Sequence, residues 1–319
     1  MDTILIYLLF ILGFVFLIVG AKLLIDGASS VGERLGLPQL IIGLTIVALG
    51  TSLPELVINV FASVEGNTDL AIGNVLGSNI MNTLLIIGIC AIIYPIKVNT
   101  LVYKRDSWIN LLAIFIMALL ANNFFVNKGI NSINRSDGII LLLLFTGLMF
   151  LLFKEKGSID HEHNSPKKKS PFFYSISFIL IGITGLFFGG KWIVKGASII
   201  ASDIGVSEST IGLTLIAMAT SLPELITSII AALNKNTDMA IGNALGSNIF
   251  NIFLVLGASA IINPINFNSS LNIEIGILVI ASLFLILTMR FGRKERTISR
   301  LEGIFLTIAY FGFLVWTLF

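Results

Sequence analysis

The stretch VALGTSLPELVINV, residues 47–60, returns later in the chain as AMATSLPELITSII, residues 217–230. Each copy places a proline and a glutamate in the middle of an apolar segment, and the two glutamates are Glu55 and Glu224. A carboxylate at the centre of a membrane-spanning helix costs about 3 kcal/mol to insert by the lower estimates. We therefore expect both glutamates to have a function inside the membrane.

The composition indicates that most of the chain lies in a membrane. Its 319 residues are 56% apolar and their mean hydropathy is +0.98, which is typical of a polytopic membrane protein. Stretches near the ~20 residues that cross a bilayer recur about ten times. The predicted fold class is an all-α polytopic membrane protein with ten transmembrane helices, at residues 4–25, 40–64, 70–94, 107–122, 137–153, 173–195, 209–233, 239–262, 272–290 and 301–319.

The basic residues predict an orientation for these helices. If residue 1 lies outside, roughly sixteen of the twenty Lys and Arg fall in odd-numbered loops, which leaves Lys128, Arg135, Lys191 and Lys195 on the other side. Loops that carry an excess of Lys and Arg stay in the cytoplasm. We therefore expect a multi-pass protein of the plasma membrane with both termini extracellular and a cytoplasmic loop at residues 154–171.

The repeated motif belongs to a longer internal duplication. Residues 51–88 align without a gap on residues 220–257, and 22 of the 38 positions are identical. Five predicted helices precede the basic loop and five follow it, so the second half enters the membrane in the opposite orientation. The sequence thus predicts a first five-helix repeat at 1–153, a cytoplasmic linker at 154–171 and a second, inverted five-helix repeat at 172–319. Inverted repeats place their binding site near the bilayer midplane, where broken helices meet.

The chemistry of the motif favours a cation. No Lys or Arg falls in the middle of a predicted span to neutralise Glu55 or Glu224, so a mobile cation or protons must do so. Each proline lacks an N–H and thereby frees a carbonyl four residues earlier, that of Gly50 or Ala219. Free carbonyls at this depth are tolerated where they line a cavity or bind an ion.

The second part of each repeat adds further oxygen ligands. It reads AIGNVLGSNIMN at residues 71–82 and AIGNALGSNIFN at residues 240–251, and its glycines are predicted to allow close helix packing. Its serine and last asparagine are four residues apart, which places them on one helical face. An all-oxygen ligand set suits hard cations such as Ca²⁺. Two carboxylates match the charge of one Ca²⁺, or of two Na⁺ with a third held more weakly.

These residues resemble a known family. The matching segments are GTSLPE and ATSLPE, followed by IGNVLGSNIMN and IGNALGSNIFN. They are similar to the two α-repeats of the cation/Ca²⁺ antiporter superfamily. Within that superfamily they are similar to the repeats of prokaryotic Na⁺/Ca²⁺ exchangers without regulatory domains. The resemblance implies alternating access, with the first and sixth helices sliding over the core. It implies transported Na⁺ and Ca²⁺, no prosthetic group, no enzymatic activity, no nucleic-acid partner and a monomeric functional unit in the lipid bilayer.

The resemblance also implies a ligand set, carried over position by position. Glu55 and Glu224 are the expected central shared ligands, and Asn82 and Asn251 complete the middle of the site. The remaining expected ligands are backbone carbonyls and serine hydroxyls. The carbonyls belong to Thr51, Thr220, Ala48 and Ala217, and the hydroxyls to Ser52, Ser221, Ser78 and Ser247.

Two positions depart from the family pattern. Ala219 replaces the glycine that usually precedes Thr-Ser, and Asn251 stands where potassium-dependent members carry aspartate. The second departure argues against K⁺ co-transport. The alternatives left open are a Ca²⁺/H⁺ antiporter of the same fold and, from another class, a cation channel lined by the same oxygens.

Overall fold

The computed structural model describes residues 3–64, 66, 68–123, 131–154, 171–203, 217–291 and 296–318. Nearly all of these residues are helical. The helices of the first half are α1 (Thr3–Arg34), α2 (Gln39–Ile42), α3 (Ala48–Thr51), α4 (Leu53–Val64), α5 (Thr68–Ile80), α6 (Ile87–Ile93), α7 (Ser107–Ala121) and α8 (Arg135–Lys154). Wider π turns lie at Gly43–Val47, Met81–Ile86 and Val102–Asp106.

The second half repeats this order. Its helices are α9 (Phe172–Asp203), α10 (Ala217–Thr220), α11 (Leu222–Leu233), α12 (Thr237–Phe250), α13 (Gly257–Ile262), α14 (Asn272–Phe291) and α15 (Arg300–Leu318). A π turn at Asn251–Leu256 joins α12 to α13, and a 3₁₀ turn at Ser269–Leu271 precedes α14. Most of the predicted linker at 154–171, namely residues 155–170, lies outside the described residues, so the linker remains a prediction.

The helices confirm a polytopic helical membrane protein. Seven helices of the described ranges are long and apolar enough to cross a bilayer. The pair Gln39–Thr51 and Leu53–Val64, bent by 41° at its break, makes an eighth span if the two are taken together. Leu222–Leu233 is apolar but shorter.

The first and sixth helices are longer than predicted. The first continues past residue 25 to Arg34, and the sixth continues past residue 195 to Asp203. The sequence prediction ended each helix near a lysine, but a helix bonds its own backbone and therefore continues through a charged position. The side chain of Lys22, inside α1, is exposed, as expected for a long basic side chain that extends toward water.

The two long helices pack against each other in opposite directions. Gly20 lies against Gly182, whereas Gly27, further along α1, lies against Ser175, which comes earlier in α9. A Cβ atom on Gly20 would come within 2.8 Å of the carbonyl oxygen of Gly182, and one on Gly182 within 2.6 Å of the Leu24 nitrogen. Only glycine permits this approach, as at other close crossings of membrane helices.

Two short strand pairs join the halves. Strand β1 (Ile96–Lys97) pairs antiparallel with β4 (Thr297–Ile298), and β2 (Ser132–Ile133) pairs with β3 (Ile265–Asn266). Each pair takes one strand from each half of the chain. The same reciprocal relation holds for the helices, because Gly88 of α6 meets α15 while Gly257 of α13 meets α8.

Candidate ion-binding site

The helix that carries each glutamate is interrupted at a serine. Ser52 separates α3 from α4, and Ser221 separates α10 from α11. Both serines have nearly the same backbone angles, φ −83° and ψ 5° for Ser52 and φ −86° and ψ 2° for Ser221. The proline two residues later in each copy cannot donate a backbone hydrogen bond, which explains a break at this point. The break places Glu55 and Glu224 in the first turn of a new helix.

The two glutamates are buried and exchange hydrogen bonds between the halves. Glu55 is 1% exposed and Glu224 is 0% exposed. Ser221 Oγ donates to Glu55 Oε1 at 3.2 Å, and Ser52 Oγ donates to Glu224 Oε1 at 2.9 Å. Each broken helix therefore supplies a hydroxyl to the carboxylate of the other.

Several buried oxygens of the two repeated motifs lack a partner among the described residues. Among the described residues, Oε2 of Glu55 and Oε2 of Glu224 accept no hydrogen bond. The same holds for Oδ1 of Asn82, Asn248 and Asn251. An unpaired buried polar atom is costly, and more so for a carboxylate oxygen. The arrangement is one that a bound cation stabilises.

The two asparagines of the predicted site lie in π turns. Asn82 belongs to Met81–Ile86 and Asn251 to Asn251–Leu256, so each predicted spanning helix contains a wider turn at this point. A π turn widens the helix, redirects its side chains and is common at functional sites. The backbone N–H of Asn251 still bonds to the carbonyl oxygen of Ser247, so the predicted four-residue spacing of Ser247 and Asn251 is kept.

A second set of hydrogen bonds links the broken helix of each half to the other half. Thr51 Oγ1 donates to Asn243 Oδ1 and Thr220 Oγ1 donates to Asn74 Oδ1, each at 3.2 Å. The threonine of each half is thus held by the asparagine of the other half. Each hydroxyl proton is shared with a second acceptor, the carbonyl oxygen of the alanine three residues earlier, at 3.3 Å for Thr51 and 3.0 Å for Thr220. Those alanines are the expected carbonyl ligands Ala48 and Ala217.

Sequence reasoning missed Asn59 and Ser228. Asn74 Nδ2 donates to Asn59 Oδ1 at 2.7 Å, and Asn243 Nδ2 donates to Ser228 Oγ at 2.9 Å. Both residues are buried. Their signal was present in the sequence, because each stands four residues after its glutamate, and polar residues at that spacing share a helical face.

The predicted serines do not all reach the carboxylates. Ser247 Oγ donates to Glu224 Oε1 at 3.4 Å. Its counterpart Ser78 Oγ instead donates to the carbonyl of Asn74 at 2.5 Å. The structure therefore brings Ser52, Ser221 and Ser247 to the glutamates and turns Ser78 toward its own helix.

The glycines of the second motif bring the helices of the site together. A Cβ atom on Gly246 would lie 2.8 Å from Ala48 Cβ, and one on Gly77 would lie 3.3 Å from Ala217 Cβ. Close contact at both positions confirms the packing role expected for these two glycines. It places α12 beside the first broken helix and α5 beside the second.

Two buried glutamates inside an apolar helical core are typical of a membrane protein with an ion or substrate pathway. The family model described as "Sodium/calcium exchanger protein" matches residues 5–154 and again 174–319. The chain belongs to the sodium/calcium exchanger family.

Relatives and solved structures agree with this assignment. The chain is 37% identical to the putative antiporter CaxA of Alkalimonas amylolytica over 95% of both chains. It is 31% identical to the sodium/calcium exchanger MaX1 of Methanosarcina acetivorans over 97% of both. A structure of the sodium-calcium exchanger NCX_Mj soaked with 10 mM Na⁺ and zero Ca²⁺ superposes with a TM-score of 0.84, at 31% identity, over 98% of this chain and 99% of that one.

Proposed function

We infer that this chain is a sodium/calcium antiporter, which exchanges Na⁺ for Ca²⁺ across the membrane by alternating access. The observation that carries the inference is the reciprocal pair of buried glutamates, each bonded by a serine of the other half. Each glutamate keeps one oxygen without a partner among the described residues. The similarity to sodium/calcium exchangers over nearly the whole chain supports the same function.

The ligand set follows from this inference. Ca²⁺ takes six to eight oxygens in flexible geometry, and the donors gathered here are oxygens. Glu55 and Glu224 are the shared central ligands, since two carboxylates balance one Ca²⁺. The other ligands are the side chains of Ser52, Ser221, Ser78, Ser247, Asn82 and Asn251 and the carbonyls of Thr51, Thr220, Ala48 and Ala217. Na⁺ displaces Ca²⁺ by competing for the same oxygens.

The proposed architecture is ten transmembrane helices in two inverted five-helix repeats, 1–153 and 172–319, joined by a linker at 154–171. Three observations support it. The helices α1 and α9 run in opposite directions. The strand pairs and glycine contacts are reciprocal between the halves. The family model matches the chain twice, with the gap at the linker.

Alternating access requires one part of the protein to move against the site. We assign that part to α1 and α9, which pack on each other through glycines. Small residues leave a smooth contact surface with few side chains to interdigitate. The functional unit is a monomer in the plasma-membrane bilayer, with both termini extracellular and the linker cytoplasmic. It needs no prosthetic group and catalyses no chemical reaction.

The test is ⁴⁵Ca²⁺ uptake into proteoliposomes under separate Na⁺, H⁺ and K⁺ gradients. Sodium/calcium antiport predicts uptake driven by an outward Na⁺ gradient, and none driven by H⁺ or K⁺ alone. Uptake with an H⁺ gradient and not with Na⁺ would identify a Ca²⁺/H⁺ antiporter instead. Flux that continues when the opposite side holds neither counter-ion would identify a channel.

A further inference from the structure

A polar cavity of about 270 Å³ lies between the turn before α7 and the end of α14, away from the glutamates. Three of its lining residues are cations, and within the described part of the chain none is acidic. The lining consists of Thr100, Tyr103, Lys104, Met289, Arg290 and Arg296. Positive charge gathered in a concave polar site favours an anionic ligand.

The residues around the cavity lead us to expect it at the level of the membrane surface. It opens at the ends of two apolar helices, where Trp108 is 49% exposed and Phe291 is 73% exposed. The guanidinium of Arg290 lies 5.4 Å from the ring centroid of Phe291. Exposed aromatic rings and basic residues at helix ends are typical of the headgroup region of a bilayer.

The basic side chains are positioned by specific bonds. Arg296 Nη1 donates to Thr100 Oγ1, and Arg290 Nη1 donates to Tyr103 Oη at 3.4 Å. Arg296 has a φ of 53°, in the left-handed region that non-glycine residues rarely adopt. Its N–H bonds to the carbonyl of Met289 at 3.0 Å, which holds this conformation. Strained residues of this kind cluster at functional sites.

The other half of the molecule shows that the fold does not require these cations. Arg296 directly precedes strand β4, and its counterpart before strand β2 is Asn131. Asn131 Nδ2 donates to Ser269 Oγ at 3.1 Å, in the same way that Arg296 donates to Thr100. Ser269 is the residue that matches Thr100 in the repeat. A neutral pair therefore forms the same contact beside the same kind of strand pair.

Lys104 likewise has no cationic counterpart, because Ile273 occupies the matching position. We propose that the cavity binds the phosphate of an anionic group, with Lys104, Arg290 and Arg296 as its ligands. An arginine carries five N–H donors in a planar fork that matches phosphate oxygens, and lysine adds a point charge. Two sources share this chemistry, namely the headgroup of an anionic phospholipid and free inorganic phosphate.

The test measures lipid binding to the full-length chain in detergent by native mass spectrometry. Phosphatidylglycerol is titrated against phosphatidylcholine, and inorganic phosphate is added as a competitor. The test variant is Lys104→Gln/Arg290→Gln. The matched control is Lys154→Gln/Lys235→Gln, which removes two exposed cations outside the cavity on the side predicted to be cytoplasmic. A second variant, Arg290→Lys, keeps the positive charge and removes the planar guanidinium group.

We expect phosphatidylglycerol to bind wild type and control alike, and the test variant about 25-fold more weakly, since each cation near an anionic surface contributes about fivefold. Arg290→Lys should bind phosphatidylglycerol with an affinity between that of wild type and that of the test variant. Competition by inorganic phosphate would identify free phosphate as a ligand, and its absence would identify the lipid headgroup. Equal binding by the test variant and wild type, or an equal loss in the control, would overturn the proposal. The measurement does not depend on transport.

Discussion

The two halves of the site have nearly the same sequence but bond their carboxylates differently. Glu224 Oε1 accepts from Ser52 and also from Ser247. Glu55 Oε1 accepts from Ser221, while Ser78 donates to its own backbone. A duplicated motif therefore produces one site with two unequal sides. In the proposed exchanger, such inequality would let ions of different charge occupy different parts of one set of oxygens.

The largest expected effect comes from removing either charge. Glu55→Gln and Glu224→Gln should each lower Na⁺-driven Ca²⁺ uptake by about 100-fold or more, because loss of one of two buried charged ligands costs several kcal/mol. Proteoliposome flux measures this. Asp69→Asn, at an exposed carboxylate of α5, is the matched control and should transport normally. Wild-type flux in either glutamine variant would contradict the shared site.

Packing of the two halves offers a second comparison. A Cβ on Gly88 would lie 2.6 Å from Thr307 Oγ1 and 2.9 Å from the Gly303 carbonyl oxygen. At the matching Gly257, the nearest atom would be Leu141 Cβ at 3.1 Å. Gly88→Ala should therefore lower the free energy of unfolding by about 1–3 kcal/mol, and Gly257→Ala by less. Thermal unfolding in detergent measures the loss of stability in each variant. A larger loss for Gly257→Ala than for Gly88→Ala would contradict this comparison, and would show that the two halves relax differently around an added methyl group.

The asparagines of the π turns test the middle of the site. Asn82→Ala and Asn251→Ala should each weaken Ca²⁺ binding about tenfold, as loss of one ligand for a cation costs about 1.5 kcal/mol. Asn251 Nδ2 also donates to Asn79 Oδ1 at 3.2 Å. Asn251→Ala should therefore lower the melting temperature more than Asn82→Ala. A Ca²⁺ titration followed by thermal unfolding checks both effects, and unchanged affinity in both variants would exclude a ligand role.

The serines give the smallest effect and the sharpest comparison. Ser247→Ala should weaken Ca²⁺ binding about threefold, since it removes a hydroxyl from a carboxylate ligand. Ser78→Ala should weaken it less, because the Ser78 hydroxyl donates its proton to the backbone carbonyl of Asn74 and makes no bond to a carboxylate ligand. A Ca²⁺ titration of the two variants side by side tests this. Equal losses would mean that the two serines contribute equally to ion binding, as the sequence alone predicts, and would contradict the unequal bonding described here.

Much of the fold and the central pair were predictable from the sequence. The paired glutamates stood out because a carboxylate in an apolar span is costly. The predicted spans that match the broken helix at 39–64 and the helices at 68–93 and 237–262 follow from long stretches of mostly apolar residues.

Other features depended on tertiary contacts and were not predictable. The bonds from Ser52 to Glu224 and from Ser221 to Glu55 join residues more than 160 positions apart. The π turn at Asn82 does not follow from helical periodicity, which assumes a constant turn. The ends of α1 and α9 were not predicted, because charged residues are typical of loops and here lie inside helices. The full ligand set remains a prediction.

The central claim is that Glu55 and Glu224 form one shared site. Equilibrium binding of ⁴⁵Ca²⁺ to the purified chain tests it most directly. One Ca²⁺ per chain should bind to wild type and be displaced by Na⁺, and both Glu55→Gln and Glu224→Gln should lose that binding while remaining folded. Ca²⁺ bound with wild-type affinity in either single variant would mean that the two glutamates do not hold the same ion, and would contradict the account.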